Sequence, residues 1–245
     1  MGTTNGLPLS ARFALWFSAW ASGAVSLDDA RDAIVGGDAA HDVVGLPDRP
    51  EPVPAILALG LLRSEGATAA GLALPVPGDP LGLAGPGPFN TEALDAGESV
   101  VLDGTDLGLV PVRTGVGVIW SCHRAVSRRA VPDPSEADTF LRQALLTASD
   151  TLADLDVARW RPEVADELMA LRQHADYSFP SGMAPRAIRL ASLATRCRGI
   201  VDLALVDDGG SVTAAEAEAR RAALTPLDHA ARRGLVAACA YPWER

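Results

Sequence analysis

Residues 116–138 read VGVIWSCHRAVSRRAVPDPSEAD, and the rhythm of the chain changes inside them. Through Ala125 the stretch alternates like a strand, with Val118, Trp120 and Cys122 on one face and Ile119, Ser121 and His123 on the other. The break RRAVPDPSEAD follows, and then the apolar spacing turns helical. Leu141, Leu145, Ala148, Leu152 and Leu155 step by fours and threes. Val164, Leu168, Leu171 and Ala175 repeat the step, as do Leu190, Leu193, Cys197, Val201 and Ala204. Strands before the break and stacked helical seams after it predict an α+β chain. The boundary places an N-terminal α+β domain at 1–130 and a C-terminal all-α helical bundle at 131–245. Because the connection near 126–135 is short, the two are expected to pack as one compact unit.

Working back from the break, LGLVPVR and SVVL also read as strands, with Asp103-Gly104 and Thr114-Gly115 as turns. Pro111 places its strand near a sheet edge, since proline lacks the N–H a central ladder needs. AILALGLL (55–62) and ATAAGLALPV (67–76) read as a hairpin turning at Arg63-Ser64-Glu65-Gly66. The expected sheet is small, mostly antiparallel and four- or five-stranded. Ahead of it, Ser10 is the expected cap of a helix whose Phe13, Trp16, Phe17 and Trp20 share one core-facing side. A second helix starts at Ser26, carries Asp28 and Asp29 in its first turn and stops at Gly36 or Gly37. Asn90 is the expected cap of a short helix TEALDA ended by Gly97. Past the bundle seams, Thr213 and Glu216 form a capping box, and LDHAARRGLVAACA is a separate last helix.

Composition narrows the function. The chain has 245 residues, 48% of them apolar and 21% charged, enough for a substantial core. A net charge of −10 argues against nucleic acid and anionic membranes, which both reward positive charge. All 21 basic residues are arginine, so lysine nucleophiles, Schiff bases and P-loop lysines are excluded. Cys122, Cys197 and Cys239 are odd in number and far apart, which fits a reducing cytoplasm rather than a disulfide framework. The run Phe13–Val25 is too short to span a bilayer. The expected location is the cytoplasm.

Three groupings resemble chemical sites. His41-Asp42, with Asp38 just before, has the residue types of a metal site, but two adjacent ligands without a convergent third hold metal poorly. Cys122-His123 cannot be a nucleophilic dyad, because neighbours on a strand point apart; His123 remains able to meet Asp79 or another carboxylate. Arg186, Arg189, Arg196 and Arg198 form a basic ridge better read as intramolecular pairing, with stems covering the bundle. No nucleotide-binding glycine fingerprint or nucleophile elbow is present. The reading therefore assigns no catalytic residue, no metal and no cofactor, and leans away from an enzyme.

The runs HDVVGLP, LALPVPGDPLGL…FN and LDVARWRPEVAD resemble those of a family of actinobacterial hypothetical proteins. The resemblance spans most of the chain and implies a lineage; that family has no assigned activity, so no residue roles come with it.

The remaining feature is residues 73–90, ALPVPGDPLGLAGPGPFN, with five prolines and four glycines around large apolar residues. Such a segment is ordered rather than a tether, since proline lowers the entropy lost on folding. It either protects a sheet edge or lines a groove with Asp79, Leu81, Phe89, Asn90 and His123. The leading expectation is a non-enzymatic protein-interaction or regulatory protein, acting on a protein partner or by self-association, homodimerisation included. The alternative is a small-molecule-binding protein or enzyme with a pocket under this loop.

Overall fold

The computed structural model describes residues 6–126, 131–154, 177–206 and 214–240. The chain divides into two compact units. One comprises Pro8–Val131, Ser178–Pro185 and Cys239–Arg245; the other comprises Met1–Leu7, Pro132–Tyr177 and Arg186–Ala238. The class is α+β, with seven helices and one six-stranded mixed sheet among the described residues.

The first unit is built around that sheet. Its strands are β1 (His41–Val44), β2 (Val53–Pro54), β3 (Ala69–Ala73), β4 (Ser99–Asp103), β5 (Leu107–Thr114) and β6 (Gly117–Arg124). They lie in the order β2-β1-β6-β5-β4-β3. The meander from β3 to β6 is antiparallel, as expected. HDVV adds a strand the sequence reading did not assign, and β1 runs parallel to β6 with Val43 opposite Trp120. Pro111 is not on an edge strand. It is tolerated inside the sheet because β4 pairs β5 only at Gly108 and Leu109, leaving Pro111 opposite Trp120 of β6 alone.

A second correction concerns AILALGLL, which is helix α3 (Ala55–Ser64) and no hairpin arm. Alanine and leucine are among the strongest helix formers, and Pro54 immediately precedes the first turn. Ala55, Ala58, Leu59 and Leu62 are its buried residues, at helical spacing.

Helix α1 (Leu9–Ala21) crosses one face of the sheet, over β3, β4 and β5. Phe13 and Phe17 are fully buried, and the Phe13 ring lies tilted against Trp120 with centroids 5.0 Å apart. Each such side chain contributes about 1.5–3 kcal/mol. Ser10 is not the cap; it lies inside the helix, and the carboxylate of Glu98 accepts its backbone N–H at 2.7 Å. An anion at a helix N-terminus serves the same purpose from 88 residues away. Farther along, the Ser18 hydroxyl donates to the Ala70 carbonyl and accepts from the Ala70 N–H. Those are backbone groups of the edge strand β3, which this helix therefore closes.

Helix α2 (Leu27–Val35) begins as read, with Ser26 accepting from the Asp29 N–H and Gly36 ending it. Helix α4 (Gly87–Ala96) starts four residues earlier than expected, at the Pro86–Pro88 segment, and ends at a left-handed Gly97. Asn90 therefore sits within it rather than capping it.

In the second unit, α5 (Pro134–Asp154) opens on Asp133, whose carboxylate accepts from the N–H groups of Ser135 and Glu136. Helix α6 (Pro185–Val206) buries Leu190, Cys197, Val201 and Ala204 along the expected seam. Helix α7 (Ala214–Cys239) is one continuous helix through Pro226, where the sequence suggested two. Strong Ala/Leu/Arg propensity on both sides of the proline carries the helix past it. At Gly234 the added Cβ of any other residue would come to 3.3 Å from both Leu141 of α5 and Leu190 of α6, so the three helices meet there. The seam Val164–Ala175, Trp160, Pro162 and the cap Thr213 lie outside the described residues, as do the side-chain surroundings of Glu216. Among the described residues no helix is long and apolar enough to cross a membrane.

Candidate functional site

The 73–90 segment folds back on β3. The Leu74 N–H donates to the Leu81 carbonyl, Val76 and Asp79 exchange backbone bonds across a tight turn, and Leu81 is buried. Gly82 lies against the strand so closely that a Cβ there would come within 2.9 Å of Ala73. Asp79 and Leu81 thus belong to a clasp at the end of the edge strand.

Phe89, Asn90 and His123 meet around α4. Phe89 is fully buried with Ala93, Val101, Val110 and Ala125, and its ring takes the space that Gly108 leaves by having no side chain. Asn90 turns back to accept the Gly85 N–H at 3.1 Å. His123 lies 6.2 Å from the Phe89 ring, and its Nε2 is 2.8 Å from Glu92 on the same helix, at ion-pair distance without hydrogen-bond alignment. The carboxylate that reaches His123 is therefore Glu92.

A second constellation, which sequence reasoning did not assemble, centres on Asp38 in the turn between α2 and β1. Its Oδ2 accepts from His41 Nε2 at 2.9 Å and from Arg12 at 3.1 Å, and its Oδ1 accepts from Arg113 at 2.9 Å. The other ring nitrogen of His41, Nδ1, accepts the indole N–H of Trp120 at 3.2 Å. Indole nitrogen only donates, so Nδ1 must be unprotonated and Nε2 carries the hydrogen. Burial lowers the pKa of His41, against the pull of Asp38, so it is neutral in the fold. Burial alone would raise Asp38; the bond from His41, then the bond and charge of Arg113 and the bond of Arg12, outweigh it and bring the carboxyl to about 2.

With both ring nitrogens engaged, His41 offers no lone pair to a metal. The arginines on Asp38 come from α1 and β5, 26 and 75 residues away, and the tryptophan on His41 comes from β6, 79 residues away, and no local motif announces such a set. The one legible signal was Asp38 three residues before His41. The cysteines are equally closed: burial pushes the thiols of Cys122 and Cys197 up to about 11 and that of Cys239 higher still.

Two family models match in tandem, the N-terminal domain of Rv1486c-like proteins over residues 10–136 and their C-terminal domain over 135–236. The chain belongs to the Rv1486c-like family. Among its relatives is the uncharacterized protein Rv1486c of Mycobacterium tuberculosis strain H37Rv. The two are 26% identical over 238 aligned positions, covering 78% of this chain and 81% of the relative. The uncharacterized protein MT1533 of strain CDC 1551 matches to the same extent. No solved structure matches the chain. The Rv1486c-like match carries no assigned activity, and the membership agrees with the actinobacterial resemblance of the sequence.

Proposed function

We propose that this Rv1486c-like protein acts by binding another protein, on the part of the sheet that α4 leaves uncovered. Strand register puts Asp42, Val44, Val112, Ile119 and Ser121 on the face opposite α1. Helix α4 covers that face over Val101, Gly108 and Val110 and reaches His123 through Glu92. Beyond it Val112 is 46% exposed, and Val44 and Ile119 are half-buried. An apolar sheet surface continuing past its covering helix is the observation that carries the reading.

The occupant is a different chain presenting an apolar segment with basic flanks. Asp42 and Glu92 lie beside the patch, and two copies each carrying −10 repel one another. The engagement of Asp38, His41 and the buried thiols supports a binding role over chemistry.

A photo-crosslinker at Val112 of the full chain, in its own cells, identifies the partner, and purified partner then tests the site. Saturable binding lost in Val112→Glu but kept in Val116→Glu, at the hairpin tip, supports the reading. Native mass spectrometry finding a dimer of this chain that Val112→Glu dissociates, or a small molecule on the monomer that Val112→Glu displaces, overturns it.

A further inference from the structure

The Asp38 cluster has more cationic donors than its carboxylate uses. Two guanidinium groups, Arg12 from α1 and Arg113 from β5, share one carboxylate with a neutral His41. These four groups sum to one positive charge, in a chain whose total is −10. Among the described residues each arginine pairs through one nitrogen, so a fork of five N–H donors is left mostly unspent on each side.

Arg12 packs on Gly36, at φ 58°, so closely that any Cβ there would overlap its Nη1. Gly37 follows with nothing within 4 Å of its added Cβ and no left-handed φ, so the fold does not itself demand glycine there. Arg12 is 20% exposed and Arg113 44% exposed beside the carboxylate they share. Arg12 Nε is buried without an acceptor, which makes this guanidinium incompletely satisfied by the protein.

We infer that Arg12 and Arg113, across the Gly36-Gly37 turn, form a binding site for a small oxyanion, a carboxylate or phosphoryl group. Asp38 holds the two guanidinium groups in place and the ligand takes the outward donors. The site is separate from the uncovered sheet patch, since Arg113 lies on the opposite face of β5 from Val112.

The test titrates the full chain with inorganic phosphate and, separately, with succinate, at constant ionic strength held by chloride, following backbone amide shifts at residues 36–38. Saturable shifts with one anion and not the other name the oxyanion. Arg113→Gln, at an exposed position that leaves the core intact, is expected to weaken binding about tenfold. Shifts that stay linear in concentration, or saturation unchanged in Arg113→Gln, overturn the site.

Discussion

The indole N–H of Trp120 points at Nδ1 of His41, 3.2 Å away, and that bond decides the proton inventory of the whole Asp38 cluster. Because the indole can only donate, the imidazole hydrogen is committed to Nε2 and so to Asp38. One tryptophan on β6 thereby aims a carboxylate in the α2–β1 turn.

Trp120→Phe keeps most of the ring packing against Phe13 and removes the donor. His41 Nδ1 is then a buried acceptor without a partner, a loss of about 1–3 kcal/mol. Urea unfolding should show a lower midpoint at unchanged slope. In wild type, nitrogen shifts of the His41 ring should report Nδ1 unprotonated at neutral pH.

The pH dependence follows from the two shifts. His41 is held below its ordinary 6.5, so its contribution is full above that value and is lost as pH falls below it. Asp38 is held at about 2, so its contribution is full above about pH 4 and disappears as pH falls through about 2. The urea midpoint is expected to decline from about pH 6.5 downward, and His41→Gln to flatten the upper part of that decline. A midpoint that rises between pH 6.5 and pH 5, both read against the ordinary histidine value, would mean that His41 is charged in the fold.

Two glycines should respond oppositely to alanine. At Gly108 the new Cβ would lie 2.6 Å from the Phe89 ring and 2.8 Å from Ala125, and the resulting overpacking costs about 1–3 kcal/mol. At Gly60, inside α3 with nothing within 4 Å, alanine should stabilise by up to about 1 kcal/mol through helix propensity. Thermal melts of the two variants check both signs.

Glu92→Gln removes the carboxylate beside His123. Both side chains are part-exposed, at 36% and 26%, so the stability change should stay within about 1 kcal/mol. A larger drop in the melting temperature would show that this pair carries part of the α4–sheet contact.

What the residues disclosed by themselves was whatever depends on neighbours in sequence. The alternation of Val118, Trp120 and Cys122 gave their shared buried face, Ser26 and Gly36 bounded α2, and the seam through Leu190, Cys197 and Val201 placed α6. Short apolar runs were the ambiguous case. AILALGLL suits a strand or a buried helix, and only its packing as α3 decided. HDVV was too short to declare itself a strand, and it became one because β6 offered a parallel edge.

The sites lie at the far end of that scale. Phe89 could be named from its loop, but not that Gly108 makes room for it. Asp38 and His41 were visible three residues apart, yet their meaning rests on Arg12, Arg113 and Trp120, which only the crossing of α1 over the sheet and the pairing of β1 with β6 bring within hydrogen-bond reach. Local propensity extends a few residues along the chain. Hydrogen bonds between residues 26 to 79 apart exist only once the sheet order is set, and all but the His41–Asp38 bond of this cluster are of that kind.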